Sequence, residues 1–333
     1  MVLIVMNHTI EMGIKVPADF GFPPVAGGLR VVLSMIQSLG VIGGVPVFLF
    51  ISGAFAAYAA KGDPPRLTAK FLTGVVTHIC WPYILWSAVF YGVIFLQYGE
   101  RYTVKGYIKN LVVGYPFHFI PLLLFFYLLA PFLVKLGRRY SLWLVAGIGA
   151  YQLMLLGVLH SSVFPQPSKI LVPPVVGHTL ALWAVHFPLG LVYGLHKGTM
   201  LTRLKKAKVP LALAAAVLFG LGALDYSRIL DLPMATELAP VGLVLLLPVV
   251  DRQSIPLVSI LETIGRRSYG LYLTNLLVLD LVLVTIGTFG PSIFIYRVAL
   301  LPLLFLTALA VPTLLMQALA KSPVRVVYRY VLG

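Results

Sequence analysis

The chain has 333 residues, of which 60% are hydrophobic and only 11% are charged, and its mean hydropathy is +0.98. A soluble domain is usually about half apolar and roughly a quarter charged, so this chain could not cover its surface in water. The composition therefore predicts an integral membrane protein and excludes an ordinary soluble enzyme.

The formal net charge of +15 would suit a nucleic-acid-binding protein, but the basic residues lie in short gaps between hydrophobic runs and form no single patch. We therefore expect no nucleic-acid partner. The single cysteine, Cys80, excludes an intrachain disulfide. Because the polar gaps are short and contain no soluble insert, we predict one membrane domain over residues 1–333.

A helix needs about 20 apolar residues to cross the hydrocarbon core of a bilayer. The first apolar stretch, Met1 to Met12, is too short to span alone, and we expect the true start to lie upstream of it. Further candidate spans are residues 31–60, 71–97, 113–134, 141–160, 178–196, 209–225, 236–250, 268–289 and 294–320. The sequence thus predicts an all-α bundle of about ten transmembrane helices with an incomplete first helix. Gly43, Gly44 and Pro46 are expected to break the second span.

The distribution of Lys and Arg predicts an orientation in the membrane. The loops after helices two, four, six and eight, together with the C-terminal tail, hold 17 of the 25 Lys and Arg residues, and the other side holds eight. The positive-inside rule then puts the C-terminus in the cytoplasm, and an even number of spans puts the N-terminus there too.

Ionisable groups inside spans are costly, so His8 and Glu11 are candidates for function. They are three residues apart and share one face of a helix. A carboxylate beside an imidazole stabilises the protonated ring, which suits a general base. Alternatively, Glu11 lies in the interface and His8 bonds a neighbouring carbonyl. A metal would need at least one more ligand, and no His-rich segment supplies it, so no metal is expected.

Other polar residues in or near spans have plainer interpretations. His78, His118, His178 and His186, each taken alone, favour a packing or interfacial role. Ser52–Gly53 would let two helices approach closely, and Ser52 could also bond a substrate. No Walker A motif, Gly-rich dinucleotide loop or Gly-x-Ser-x-Gly elbow is present, which disfavours ATP-driven transport and serine hydrolysis.

Several segments carry a family pattern. Residues 5–8 read Val-Met-Asn-His; residues 45–53 read Val-Pro-Val-Phe-Leu-Phe-Ile-Ser-Gly; after a basic loop, residues 81–86 read Trp-Pro-Tyr-Ile-Leu-Trp. Residues 117–123 read Phe-His-Phe-Ile-Pro-Leu-Leu, and residues 264–273 read Ile-Gly-Arg-Arg-Ser-Tyr-Gly-Leu-Tyr-Leu. In this order, they resemble the acyltransferase 3 family, membrane enzymes that typically O-acetylate sugars and cell-surface glycans.

The sequence departs from the family pattern at three places. The family usually has an Asp-x-x-Arg element a few residues before the helix-one His, and this sequence has none before His8. Asn275 stands where many members have a His after Tyr-Leu, and Phe119 replaces a Trp next to His118.

The resemblance implies transfer of an acyl group, most often acetyl, from acyl-CoA to a hydroxyl of a cell-surface or lipid-linked glycan. It gives His8 the general-base role, with Glu11 orienting or charging the ring. Arg66 and Lys70, in the basic loop from Lys61 to Lys70, would receive the CoA phosphates, although each could also be a plain positive-inside anchor. Ser52 and His118 would line the acyl channel. The family implies a bacterial inner membrane.

A second hypothesis, from a different class, is a transporter or flippase of lipid-linked glycans or related exopolysaccharide precursors. It would explain the spans, the orientation and the buried polar groups equally well from composition alone. A third is a catalytically silent chain, because the Asp-x-x-Arg element is missing. Membrane lipids are expected partners in each case, and the sequence indicates no oligomeric state.

Overall fold

The computed structural model describes residues 1–60, 62, 66–160, 170–323 and 327–333. The protein is 83% helical, and the described residues form no strand, which confirms the predicted all-α class. The helices are α1 (Val2–Asp19), α2 (Gly27–Gly43), α3 (Val45–Ala59), α4 (Ala69–Val75), α5 (Trp81–Tyr98), α6 (Val104–Val113), α7 (Phe119–Arg139), α8 (Ser141–His160), α9 (Gly177–Trp183), α10 (His186–Leu195), α11 (Lys197–Lys206), α12 (Lys208–Tyr226), α13 (Ala235–Leu246), α14 (Val258–Arg266), α15 (Ser268–Phe289), α16 (Arg297–Lys321) and α17 (Tyr328–Leu332).

Seven helical segments within the described residues are long and apolar enough to cross a membrane. They are Gly27–Ala59, Ala69–Tyr98, Phe119–Arg139, Ser141–Leu159, Lys208–Tyr226, Ser268–Phe289 and Pro291–Lys321. The bent pair α9 and α10 supplies an eighth, and Ala235–Val249 is a shorter apolar helix. These positions coincide with the nine predicted spans that follow helix one. The total of ten stays a prediction.

α1 is longer than the apolar stretch that predicts it. The helix continues past Met12 to Asp19, giving 18 residues, or a rise of about 27 Å. The polar residues Glu11 and Lys15, which end the apolar run in the sequence, lie on successive turns of the same helix and pair with each other. Hydropathy alone therefore places the end of this helix too early.

The predicted break in the second span is confirmed. α2 ends at Gly43, Gly44 forms a bend, and α3 begins at Val45. Pro46 is the second residue of α3, where the missing N–H of proline removes no helical hydrogen bond. The break therefore lies where the glycine pair and the proline predict it.

The chain divides into two compact units. The first contains Met1–Gly44, Phe219–Thr236 and Asp251–Gly333, and the second contains Val45–Leu218 and Glu237–Val250. The prediction of a single domain stays a prediction.

In the first unit, α1 is the helix around which the others pack. It contacts α2, α15 and α16. Val5 and Val16 belong to a buried apolar cluster whose other members come from α15, α16 and the turn before α16, namely Leu279, Leu283, Phe294, Leu304 and Ala308. α1 is thus covered on several sides, and its polar residues Asn7 and His8 face neighbouring helices.

In the second unit, α3 and α10 cross with their backbones in close contact. A Cβ atom at Gly53 would overlap the carbonyl oxygen of Phe187, and one at Gly190 would overlap the carbonyl oxygen of Phe50. Small residues let membrane helices approach closely, so that packing replaces the hydrophobic driving force that lipid does not supply. The close helix contact predicted at Ser52–Gly53 is thus confirmed.

The same crossing gives the relative direction of the two helices. Phe50 meets Gly190, and further along both helices Ala57 meets Gly194. Since the contacts advance in the same sense along both chains, α3 and α10 run parallel.

The break between α9 and α10, where the axis bends by 53°, is bridged by Gln152 of α8. Its Nε2 donates to the Leu182 carbonyl at 3.0 Å, and its Oε1 accepts from the Val185 N–H at 2.9 Å. A broken membrane helix must have its freed backbone groups satisfied from elsewhere. One amide side chain, 2% exposed, does this for two of them.

Candidate active site

His8 lies on α1, facing α15 in the first unit. The residue is half-buried, and its ring packs against Tyr272, with the ring centroids 6.4 Å apart. Close packing on another side of α1 holds the helix in place, since a Cβ at Gly13 would lie 2.6 Å from a methyl of Leu301. The ring is therefore fixed by its helix, yet retains some access.

The Nδ1 of His8 is 2.7 Å from Oδ1 of Asn275. Asn275 is completely buried, and its Nδ2 donates to the carbonyls of Leu271 at 2.7 Å and Tyr272 at 2.8 Å. These residues belong to one turn of α15. The histidine and the asparagine are 267 residues apart in the sequence.

Glu11 is oriented differently from what its spacing suggests. Its carboxylate pairs with Lys15 at 2.5 Å, and both side chains are substantially exposed. Its charge still acts on the His8 ring, but the hydrogen-bond partner of that ring is Asn275. Glu11 can therefore influence His8 through its field, and its assigned role stays a prediction.

A second polar contact joins α1 to α2. Gln37, 2% exposed, directs its Nε2 to Asn7 Oδ1 at 3.4 Å. Its Oε1 is buried and has no hydrogen-bond partner in the described part of the chain. An acceptor on α2 with no partner among the described residues therefore lies beside Asn7, the residue that precedes His8.

Ser52 and His118 both belong to the second unit, but they lie at different levels. The Ser52 hydroxyl interacts with the Tyr127 hydroxyl of α7. His118 precedes the first residue of that helix, nine residues before Tyr127, or about 13 Å along the axis. The structure therefore does not bring Ser52 and His118 to one point, and their channel role stays a prediction.

His118 instead lies near another histidine. Burial lowers the pKa of the His118 ring, the Pro116 backbone hydrogen bond raises it, and the nearby His178 lowers it again. The uncharged ring is thus favoured. His178 was predicted as a single packing or interfacial residue, and nothing in the local sequence pattern indicates that it lies near His118.

Arg66 and Lys70 are both exposed, and Lys70 lies in the first turn of α4. The remaining basic residue of this predicted loop, Lys61, falls outside the described residues.

A third cation was not predicted as a candidate site residue from the sequence. Arg267, just before α15 in the first unit, has a buried Nη1 with no hydrogen-bond partner among the described residues. Its position within the 264–273 motif is the only sequence signal.

Across the described residues, no group of three or more His, Cys, Asp and Glu side chains is arranged to hold a metal ion. The chemistry available around His8 includes its imidazole, the three neutral amides of Asn7, Gln37 and Asn275, and a half-exposed carboxylate. Such groups can bind a hydroxyl and move a proton.

The fold and these groups define a multi-pass membrane protein with a polar, histidine-containing site on its first helix. The family model for the acyltransferase 3 acyltransferase domain matches residues 1–317, nearly the whole chain. The chain therefore belongs to the acyltransferase 3 family and is a membrane acyltransferase. No match was found among curated proteins or among solved structures.

Proposed function

We propose that the protein transfers an acyl group, most often acetyl, from acyl-CoA to a hydroxyl of a cell-surface or lipid-linked glycan. The observation that supports this most directly is the half-buried His8 in a chain of an acyltransferase family: its Nδ1 is bonded to Asn275, and its Nε2 has no hydrogen bond among the described residues. A positioned imidazole is the commonest general base in proteins.

The proposed reaction moves one proton through His8. The free ring nitrogen takes the proton of the acceptor hydroxyl while the hydroxyl oxygen attacks the thioester carbonyl carbon. The carbon–sulfur bond then breaks, and the departing thiolate takes the proton back from the imidazolium. The products are the ester and the free thiol, and the histidine returns to its starting state.

The charge of Glu11 would favour the imidazolium that forms during this step. Because Glu11 is substantially exposed and paired with Lys15, solvent and that lysine weaken its field. We therefore assign Glu11 a supporting role, secondary to that of His8.

The test is transfer of label from acetyl-CoA to membrane glycans or lipids by purified membranes. His8→Ala should lower the transfer rate by about 10²–10⁴-fold, the usual contribution of a general base. Glu11→Gln should lower it by about tenfold or less. His196→Ala removes a histidine bonded to the Gly137 carbonyl of the second unit and should leave the rate unchanged.

Full transfer by a normally expressed His8→Ala protein would rule out the general-base role. Absence of any labelled product with the natural protein and a panel of glycan acceptors would instead favour the transporter or flippase hypothesis.

A further inference from the structure

Asn275 offers His8 an oxygen and not an amide nitrogen, because the nitrogen is already occupied. Its Nδ2 carries two hydrogens, and the carbonyls of Leu271 and Tyr272 accept them at 2.7 and 2.8 Å. Turning the amide over would set Oδ1 against these two carbonyl oxygens at hydrogen-bonding distance, at full burial and with no hydrogen between them. The orientation of the amide is therefore determined by its own helix.

An oxygen acceptor 2.7 Å from His8 Nδ1 requires that this nitrogen carry a proton. A neutral imidazole has only one N–H, so its Nε2 then holds a free lone pair. Protonation at Nε2 instead would set two lone pairs against each other within hydrogen-bonding distance.

The geometry points to Asn275 as a positioning residue that holds His8 in its Nδ1–H tautomer and makes Nε2 the basic atom. The inference rests on the proposed function, which requires a base on α1, and adds which atom is the base and which residue selects it. Asn275 does not itself take or give a proton.

This role accounts for the asparagine at position 275 of this chain. A buried carboxylate partner would add a charge inside a membrane segment, which is costly. An amide supplies the same acceptor without charge, and its donors are consumed by the helix that carries it. The single polar contact thus sets the tautomer at little desolvation cost.

The decisive measurement is the ¹⁵N spectrum of the purified protein with labelled histidine, with the His8 signals identified by their absence in His8→Gln. We expect the one-bond N–H coupling at Nδ1 and an unprotonated-type shift at Nε2. Asn275→Leu, which keeps the size of the side chain and removes the acceptor, should give a mixture of tautomers. Asn275→Asp, which keeps the acceptor, should preserve the Nδ1–H form.

Thr274→Val is the matched control. Thr274 is also buried on α15, and its hydroxyl donates only to the Gly270 carbonyl, at 2.7 Å. It should leave both the His8 spectrum and the transfer rate unchanged. Asn275→Leu should lower kcat by roughly 10–100-fold with little change in KM, since substrate binding is not its task, and Asn275→Asp should recover part of that loss.

A wild-type spectrum with the proton on Nε2 overturns the inference whatever the activity. So does an Asn275→Leu protein that keeps the Nδ1–H form or the full kcat while His8→Ala is inactive. If the tautomer is as inferred but His8→Ala transfers acyl groups normally, then the proposed function of His8 fails and the assignment of the tautomer by Asn275 stands.

Discussion

A polar side chain in a membrane helix is costly only while its hydrogen-bonding groups lack partners, and His8 has one nitrogen satisfied by Asn275. The choice of partner could not be predicted from the sequence. Glu11, three residues away, is the neighbour that helical periodicity offers, whereas Asn275 comes from the far end of the chain. The local sequence pattern predicts His8 as a candidate. Only the packing of α1 against α15 shows that Asn275 orients its ring.

Three cations are candidates for binding the donor phosphates, and they make distinct predictions. If Arg66 and Lys70 receive the phosphates, Arg66→Gln or Lys70→Gln should raise the KM for acyl-CoA by roughly tenfold, the loss of one charge-assisted hydrogen bond. kcat should change little, since a contact to the donor phosphates binds the ground state and the transition state alike. Steady-state kinetics over a range of acyl-CoA concentrations measures both constants.

Lys135→Gln, near the end of α7, is the control for a general loss of positive charge. If the KM for acyl-CoA is raised in Arg267→Gln and normal in Arg66→Gln and Lys70→Gln, the donor phosphates bind at the start of α15. That result would contradict the assignment from the family resemblance. Arg267 is the appropriate competitor because its Nη1 is buried and has no hydrogen-bond partner in the described ranges.

At the scale of elements, helices are predicted well by hydropathy where a single apolar run makes one span. α15 begins and ends at its predicted bounds. α7 shares most of its length with the predicted span 113–134. Hydropathy predicts the helix bounds less accurately where a span is interrupted. The predicted span 178–196 is two helices with a 53° bend, and the interruption at Ala184–Val185 comes just before Pro188, which has no N–H to bond the Ala184 carbonyl.

Gln152 stabilises this bend by bonding two backbone groups that the break leaves free, so its removal has a specific expected effect. Gln152→Leu keeps the volume and leaves the Leu182 carbonyl and the Val185 N–H without a partner. Each lost partner costs about 1–3 kcal/mol, so we expect a loss of roughly 2 kcal/mol or more in the free energy of unfolding. Denaturant or thermal unfolding in detergent measures it.

Gln97→Leu is the comparison for this substitution. Gln97 is another glutamine of a membrane segment, but its Oε1 is buried without a hydrogen-bond partner among the described residues. The substitution should be neutral or slightly stabilising. Equal destabilisation by both variants would show that Gln152 contributes only packing.

At the scale of the whole molecule, the excess of Lys and Arg in alternate loops predicts which loops face the cytoplasm. Cys80→Ser provides a background without cysteine. Single cysteines at Tyr140 and Gly198 should then react with a membrane-impermeant maleimide from the cytoplasmic side only. Cysteines at Arg101 and Asp231 should react only from the opposite side, and all four positions are exposed.

Labelling of Arg101→Cys and Gly198→Cys from the same side would contradict both the orientation and the number of spans between them. The orientation can be predicted from charge because loop charge acts during membrane insertion, and it stays a prediction. The division into two compact units could not, since two of its boundaries lie inside α12 and α13, where no polar gap marks them in the sequence.

The parallel contact of α3 with α10 limits how many times the chain can cross the membrane between these two helices. Two neighbouring membrane helices that point the same way must be separated along the chain by an odd number of crossings. Three candidate spans in the described residues lie between them: Ala69–Tyr98, Phe119–Arg139 and Ser141–Leu159. The count is odd, as the parallel contact requires, and this favours the bent pair α9–α10 as one crossing over a loop that returns to the side it came from.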